Sequence, residues 1–394
     1  NGISSGAPSS SDPGWDLIGS PMTSGTLTAS NLATDGTNYA IQPYDNTDNT
    51  WNATTSAGTY TTSTGIGYSM AKTSAGTVGF TGVPSQKTDV SVSLTENKTS
   101  GSGERWNLIA NPYPAYVALN GAAKNNSSAT VSLLWYNAIQ ASTDVLGYTD
   151  SEEGIWYWDG DSYETANNGS SALWAAPGQA FFVSSPVGGS TFSFRSGSIT
   201  TQSSIVSGGS GTGDDFISGD IMDDNRAELF IQLIQNNIER KTQIYFLNND
   251  VSDFLDSGYD TKTFPMSDNT TSVFTRLVEE DQGVDFAIQS LAYSEMWDKV
   301  IPLGINALGG EEITISISHR TTPADLNIYL EDTEEGTMTN LLYGDYVLTP
   351  TSDLSGVGRF FIHMTAETMS NGEVSTSLLN AYKEIDASYI TIEG

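Results

Sequence analysis

Apolar residues along this chain recur at every second position, in short runs broken by Gly, Asn, Asp and Pro. A period of two puts one set of side chains on a buried sheet face and the alternate set toward water, so the pattern predicts strands. The cleanest run is Glu312-Ile-Thr-Ile-Ser-Ile-Ser318, with three isoleucines on one face and Thr or Ser on the other, as in a half-buried antiparallel strand. Similar runs cover Val90 to Leu94, Ala227 to Ile234, Gln243 to Leu247, Val284 to Leu291, Leu326 to Leu330, Tyr346 to Leu348 and Gly358 to Met364. Only windows such as Arg226 to Arg240 carry enough helix formers to be argued as helical. The expected fold class is all-β.

An internal echo organises the first half. Trp106-Asn-Leu-Ile-Ala-Asn-Pro-Tyr-Pro114 has a weaker copy in Trp15-Asp-Leu-Ile-Gly-Ser-Pro-Met22. Further matches follow in the same order. Trp158-Asp-Gly-Asp-Ser-Tyr163 parallels the stretch from Tyr44 to Trp51, Ala176 to Val183 parallels Gly65 to Met70, and Gly188 to Phe194 parallels Gly76 to Phe80. Gly65 to Met70 and Gly76 to Phe80 are themselves expected to pair as a hairpin turning at Thr73 to Gly76. The extra length of the second copy falls between Leu119 and Glu153, and Leu133 to Tyr136 within it reads as an aromatic strand.

The expected organisation is a lead-in at residues 1–14 and a duplicated β-rich region at 15–195, with copies at 15–82 and 106–195. A Ser/Gly/Asp-rich linker at 196–225, a β-sandwich at 226–366 and a tail at 367–394 complete it. The two diverged repeats are expected to form a sandwich-like unit, and the region after the linker a jelly-roll-like antiparallel β-sandwich. In the tail, Tyr389 to Ile392 reads as a lone strand in need of a partner.

Charge narrows the function. Fifteen Lys and Arg stand against 47 Asp and Glu, a formal net charge of −32. Such a field repels nucleic acid and anionic membrane, whose binding depends on clustered cations. There are no cysteines, so zinc–thiolate sites, structural disulfides and a Cys nucleophile are excluded. No run of about 18 apolar residues is present, so no helix is expected to span a membrane. If the protein is exported, a chain beginning at Asn1 is expected to be a mature form or a fragment.

Candidate chemistry is sparse. Trp106 to Pro114 reads first as a core strand ended by a rigid proline turn, with a sugar platform as the functional alternative. Trp135, Tyr136, Trp156, Tyr157, Trp158 and Trp174 form a dense aromatic set, in which Trp156 and Trp158 share one strand face and Tyr157 takes the other. Trp156, Trp158 and Tyr113 are the candidates for stacking on carbohydrate. Asp214, Asp215, Asp220, Asp223 and Asp224 offer hard oxygen ligands for calcium, without the spacing of an EF-hand, and calcium is the single cofactor option. Asp45, Asp48 and Asn49, or Asp159 and Asp161, are lesser options. His319 and His363 sit in no HExxH pattern, and there is no nucleophile elbow, phosphate loop or dinucleotide fingerprint. With 47 acids, a carboxylate pair fit for glycoside hydrolysis stays open as an alternative.

Two of these segments carry a resemblance. Trp106 to Pro114, followed by Ala176-Pro-Gly-Gln-Ala-Phe-Phe-Val183, resembles surface proteins that Bacteroidetes export through the type IX secretion system. The second half is similar to the domain that commonly follows, through Arg226 to Leu229, Gly258 to Asp260, Ile301 to Ile305, Ile328 to Asp332 and Arg359 to His363. The resemblance covers most of residues 15–366. It implies a secreted or outer-surface location, passage through that machinery, and a C-terminal sorting domain beginning in the tail. The resulting expectation is a non-catalytic surface protein with a structural, adhesive or filament-forming role, whose partners are other surface subunits or glycans. A carbohydrate- or calcium-dependent binding module and a secreted hydrolase are the alternatives.

Overall fold

Alternation is realised as sheet throughout, and no α-helix occurs among the described residues. The computed structural model describes residues 2–3, 14–74, 76–97, 105–119, 154–158, 163–170, 172–185, 188–194, 196, 199–200, 216–219, 226–248, 251–256, 258–264, 270–281, 283–366, 380–382 and 391–393. The chain divides into two compact units, Asn1–Met222 and Asp223–Gly394.

The first unit is a strand-for-strand duplication of nine strands, with one further strand added. Repeat 1 consists of β1 (Gly2–Ile3), β2 (Gly14–Gly19), β3 (Met22–Thr28), β4 (Ile41–Asp45), β5 (Thr50–Trp51), β6 (Thr59–Thr61), β7 (Gly67–Lys72), β8 (Gly76–Thr77) and β9 (Thr81–Pro84). Repeat 2 consists of β10 (Val90–Leu94), β11 (Trp106–Ala110), β12 (Tyr116–Ala118), β13 (Ile155–Trp158), β14 (Tyr163–Ala166), β15 (Ala172–Ala175), β16 (Ala180–Ser184), β17 (Ser190–Phe194) and β18 (Ile199–Thr200). Repeat 1 builds sheets in the orders β1-β8, β2-β7-β4-β5 and β6-β3-β9. Repeat 2 builds β10-β17, β11-β16-β13-β14 and β15-β12-β18, with β19 (Phe216–Gly219) added beside β15. The nine strands therefore correspond one to one.

Two expectations are corrected by this pairing. The strand after Gly65 and the strand at Gly76 do not form a hairpin, because β7 pairs with β2 and β4 while β8 pairs with β1. Each repeat also begins one strand earlier than its Trp-x-Leu-Ile segment, at Gly2–Ile3 in the expected lead-in and at Val90–Leu94.

The repeats face each other across a pseudo-twofold axis. Ile18 bridges Gln179 and Ile66 bridges Ile109. The Gly19 amide donates to the Gly178 carbonyl at 2.7 Å, and the Ala110 amide to the Gly65 carbonyl at 2.9 Å. Ile18 corresponds to Ile109, Gly19 to Ala110, Gly65 to Gly178 and Ile66 to Gln179, so each contact occurs twice with roles exchanged. That reciprocity is the mark of an isologous interface, here inside one chain. Ile18, Ile41, Tyr68 and Met70 build a core within repeat 1, and Ile109, Ile155, Phe181 and Val183 one within repeat 2. On the opposite face of the repeat 2 sheet, Leu108, Phe182 and Trp156 lie in register.

The second unit comprises β20 (Ala227–Gln235), β21 (Ile238–Leu247), β22 (Thr261–Lys262), β23 (Ser272–Thr275), β24 (Phe286–Ala292), β25 (Asp298–Asn306), β26 (Ile313–Arg320), β27 (Asn327–Asp332), β28 (Thr337–Asn340), β29 (Tyr346–Leu348) and β30 (Phe360–Thr365). Ten of them run β28-β27-β30-β25-β23-β24-β21-β20-β26-β29, with β22 beside β24. All pairs are antiparallel except β21 with β24. Ile313 and Ile315 from one end of this order share a buried core with Ile328 and Leu330 from the other, so the sheet curls on itself into the expected sandwich. The window argued as helical, Arg226 to Arg240, is a hairpin instead. Residues 227, 229, 231, 233 and 235 are buried alternately, and the turn uses Asn236 and Asn237 at φ 52 and 64. Positive φ at both central residues is what a tight hairpin turn of the I′ type requires, and Asn tolerates it. The tail strand is not alone, since β32 (Thr391–Glu393) pairs with β31 (Asn380–Tyr382).

Candidate functional site

Among the described residues of the first unit, a half-buried aromatic cluster lies where two equivalent strand pairs meet. In β4 and β5 Tyr44 pairs with Trp51, and in β13 and β14 Trp158 pairs with Tyr163. Cross-strand aromatic pairs of this kind are a stabilising unit of a sheet. The duplication supplies it twice, and both copies converge on Phe182 of β16. Ring centroids lie 5.1 Å apart for Tyr44 and Phe182, 6.0 Å for Trp51 and Phe182, and 6.2 Å for Tyr163 and Phe182. The pairs themselves close at 5.4 Å for Tyr44 with Trp51 and 5.2 Å for Trp158 with Tyr163. Phe182 is fully buried while the other four rings are half-buried, which makes a shelf of aromatic edges around a closed floor. Burial pushes the Tyr163 phenol up to about 12, so it stays protonated at neutral pH.

The residues singled out from sequence separate here. Trp158 belongs to the shelf, and its Nε1 is buried without a hydrogen-bond partner among the described residues. Trp156 shares its strand face, as expected, but is only 7% exposed, lying in register with Phe182. Tyr157 packs against the repeat 2 core from the other face. Tyr113 is 1% exposed and gives no ring face to a sugar, because its hydroxyl points inward to the carbonyls of Thr88 at 2.6 Å and Phe194 at 2.9 Å. Trp106 is buried to the same degree and Trp174 is buried as well. The stacking assignments for Tyr113 and Trp156 are thus replaced by packing roles. Tyr44, Trp51 and Tyr163 were not singled out as stacking residues. The matching stretches from Tyr44 to Trp51 and from Trp158 to Tyr163 were the signal that could have found them.

Asn111 explains the rest of the nine-residue motif. It is fully buried, and its Nδ2 reaches the carbonyls of Ala115, Ala175 and Ala176 at 2.8, 3.1 and 2.9 Å. Its Oδ1 accepts the Tyr113 amide at 3.0 Å. In repeat 1 Ser20 keeps only the counterpart of that last bond, accepting the Met22 amide at 3.2 Å.

Among the acidic candidates, Asp214, Asp215, Asp220, Asp223 and Asp224 lie outside the described residues, as do Asp159, Asp161, Trp135 and Tyr136. Asp45, Asp48 and Asn49 form a self-satisfied turn. Asp45 accepts from the Thr47 amide and hydroxyl and from Asn52, which holds its carboxyl below the usual carboxylate range, the Thr47 hydroxyl contributing most. Asp48 accepts from Thr50, and Asn49 from the Tyr44 hydroxyl at 2.8 Å. No group of three or more His, Asp or Glu among the described residues is placed to hold a metal ion.

In the second unit several buried titratable residues bridge strands and loops. Asp332, with no exposed surface, takes two bonds from Arg359 at 2.9 and 2.7 Å and one from the Tyr346 hydroxyl. Since β27 and β29 lie near opposite ends of the strand order, this cluster fastens the curl of the sheet. Buried Lys299 binds Asp253 and Glu295, and buried Arg276 binds Asp285 and Asp281. His363 meets Glu331 at 2.6 Å, and His319 meets Glu228 at 3.0 Å on a face shared with Phe230. The two histidines of the chain thus each tie neighbouring strands.

No curated protein and no solved structure matches the chain. A family model described as "Domain of unknown function (DUF8693)" matches residues 10–364. That match runs from before β2 into β30, well over half of the 394 residues, and the chain belongs to this family.

Proposed function

We propose that this chain is a non-catalytic protein of the bacterial surface, exported through the type IX secretion system, with a structural or adhesive role. One observation carries the reading. The distinctive residues of the first unit, Trp106, Asn111 and Tyr113, serve to lock strands rather than to line a cleft, and the charged clusters of the second unit do the same. A chain whose aromatic and ionic side chains are committed in this way is suited to bearing load and presenting surface. The high negative charge keeps such a surface hydrated and soluble. No helix among the described residues is long and apolar enough to cross a membrane. Protease shaving of a Bacteroidetes host expressing the protein tests the location. The reading expects surface exposure that vanishes when the type IX translocon is deleted, and exposure that persists would sink the export route.

A second reading, glycan binding, is favoured by the half-buried shelf of Tyr44, Trp51 and Trp158, because aromatic rings offer apolar faces for pyranose C–H groups. A glycan array probed with folded protein, alongside Trp158→Ala, addresses it. Hits that Trp158→Ala does not weaken would move the site elsewhere, and an array without hits would remove this reading.

A further inference from the structure

The axis relating the two repeats is lined differently on its two sides. Gly19 of repeat 1 corresponds to Ala110 of repeat 2, and Gly67 to Ala180. In the two sheets these residues also pair with each other, Gly19 with Gly67 and Ala110 with Ala180. A Cβ placed on Gly19 would lie 2.2 Å from the Ala110 Cβ and 2.7 Å from the Ile66 carbonyl oxygen. One placed on Gly67 would lie 2.6 Å from Leu108 Cγ and 2.7 Å from the Ala180 Cβ. Neither glycine has a positive φ, in contrast to Gly65 and Gly178 at the adjoining turns. Backbone conformation therefore does not call for glycine at 19 and 67, and what these positions require is the missing methyl group.

Symmetry gives this a consequence. Residues on a twofold axis face their own counterparts, so two repeat 2 faces brought together by the same operation would set Ala110 against Ala110 and Ala180 against Ala180. At the spacing seen here those Cβ pairs overlap, well inside the 3.5–4.0 Å at which carbon atoms rest. We propose that Gly19 and Gly67 are pairing determinants. They make the repeat 1 face complementary to the repeat 2 face and bar the alanine-bearing face from pairing with its own kind. The duplicated interface is one-sided by construction, so each repeat is selective for the other.

The full chain tests this directly, because Gly19→Ala reproduces at one point of the axis the Ala-on-Ala contact of two repeat 2 faces. Three variants are compared by thermal unfolding followed through tryptophan fluorescence: Gly19→Ala, Ala110→Gly and the exchange Gly19→Ala/Ala110→Gly. Gly19→Ala is expected to lower the midpoint by roughly 4–10 °C, from the usual cost of overpacking spread over a unit of this size. The exchange keeps one methyl group on the axis and is expected to recover at least half of that loss, a coupling that separate structural defects would not show. At the second point Ala180→Gly removes one of the two side-chain atoms, Ala180 Cβ and Leu108 Cγ, that a Cβ on residue 67 would meet, so Gly67→Ala/Ala180→Gly is expected to recover only part of the Gly67→Ala loss. If Gly19→Ala does not fold, the exchange is compared with Ala110→Gly alone, and midpoints within a few degrees of each other support the proposal. A neutral Gly19→Ala, or an exchange that merely adds the two single losses or fails to fold, overturns it.

Discussion

Asn111→Ala should be the most damaging single truncation in the Trp106 to Pro114 motif. The side chain has no exposed surface and its amide faces three carbonyls while its oxygen takes the Tyr113 amide. An Asn amide has two N–H donors, so at most two of the three carbonyls are fully satisfied, with the third sharing. Truncation then removes about three hydrogen bonds and strands their partners in the interior. At about 1–3 kcal/mol for each buried group left unpaired, and allowing for relaxation and an entering water, the loss is about 3–5 kcal/mol. That is a large part of the about 5–15 kcal/mol by which whole domains are stable. Asn111→Ser gives the graded control, since it would retain only the turn bond that Ser20 makes in repeat 1. Urea unfolding followed by tryptophan fluorescence reads the first unit selectively, because all of the eight tryptophans except Trp297 lie before residue 223. The expected order of midpoints is wild type, then Asn111→Ser, then Asn111→Ala, at unchanged slope. A loss below about 1 kcal/mol for Asn111→Ala, within the range of a single modest hydrogen bond, would refute the bonding account. So would equal midpoints for the two variants.

Three further outcomes concern the second unit. Burial pushes the Asp332 carboxyl up, but the bonds from Arg359, Tyr346 and the Glu335 amide outweigh it and hold the group below its usual range. A depressed carboxylate stabilises the fold above its unfolded pKa of about 4 and loses that contribution as pH falls through the folded value. The hydrogen-exchange protection of peptides spanning residues 327–332 and 346–364, corrected for the intrinsic pH dependence of amide exchange, should therefore fall below about pH 4. Asp332→Asn should be less stable at pH 7 by about 3 kcal/mol, with a flatter acid limb, and an unchanged acid limb would refute the assignment. Gln289 is 1% exposed on a central strand, and among the described residues neither its amide nitrogen nor its oxygen has a partner. Gln289→Met, of similar volume, should raise stability by about 1–2 kcal/mol in denaturant unfolding, and a loss would show that the amide is satisfied. Gly304→Ala would drive its Cβ to 2.1 Å from the Phe274 ring. It should cost about 1–3 kcal/mol, measured by the same exchange assay, with the damage centred on β23 and β25.

How much of this was legible in the residues depended on whether the pattern was local. The isoleucines of β26 and the alternation of β20 announced their strands, because a half-buried sheet face imposes its period on the sequence. Strand β25 was missed. Its run Asp298–Asn306 holds Pro302 and Gly304, residues that ordinarily argue against a central strand. Gly304 is there to admit the Phe274 ring, a tertiary reason with no local trace. The hairpin expected between Gly65 and Phe80 failed for a related cause. Proximity in sequence favoured pairing β7 with β8, whereas the fold pairs each with strands that begin the repeat. Of the candidate site, Trp158 was read correctly as sharing a face with Trp156. The burial of Tyr113 was not legible, since nothing in Pro-Tyr-Pro reports that the phenol meets carbonyls at residues 88 and 194.

The duplication also explains why it is faint in sequence and complete in structure. Away from the axis the repeats need only the same period and turns, which many residues satisfy, so their similarity decays freely. On the axis they cannot be the same, because a methyl group at 19 and another at 110 would claim one space. Nor do they match around the Pro turn. Asn111 ties three carbonyls where Ser20 ties none among the described residues, and the Tyr113 hydroxyl secures repeat 2 at both Thr88 and Phe194 where Met22 has nothing to donate. Divergence between positions 19 and 110 is thus a requirement of the shared fold and not erosion of it. It follows that other members of the family should carry glycine at the position of Gly19 wherever the position of Ala110 bears a side chain, or the reverse arrangement. A pair of related chains with alanine or larger at both positions and the same strand order would break this reasoning, since the axis as built leaves room for one Cβ.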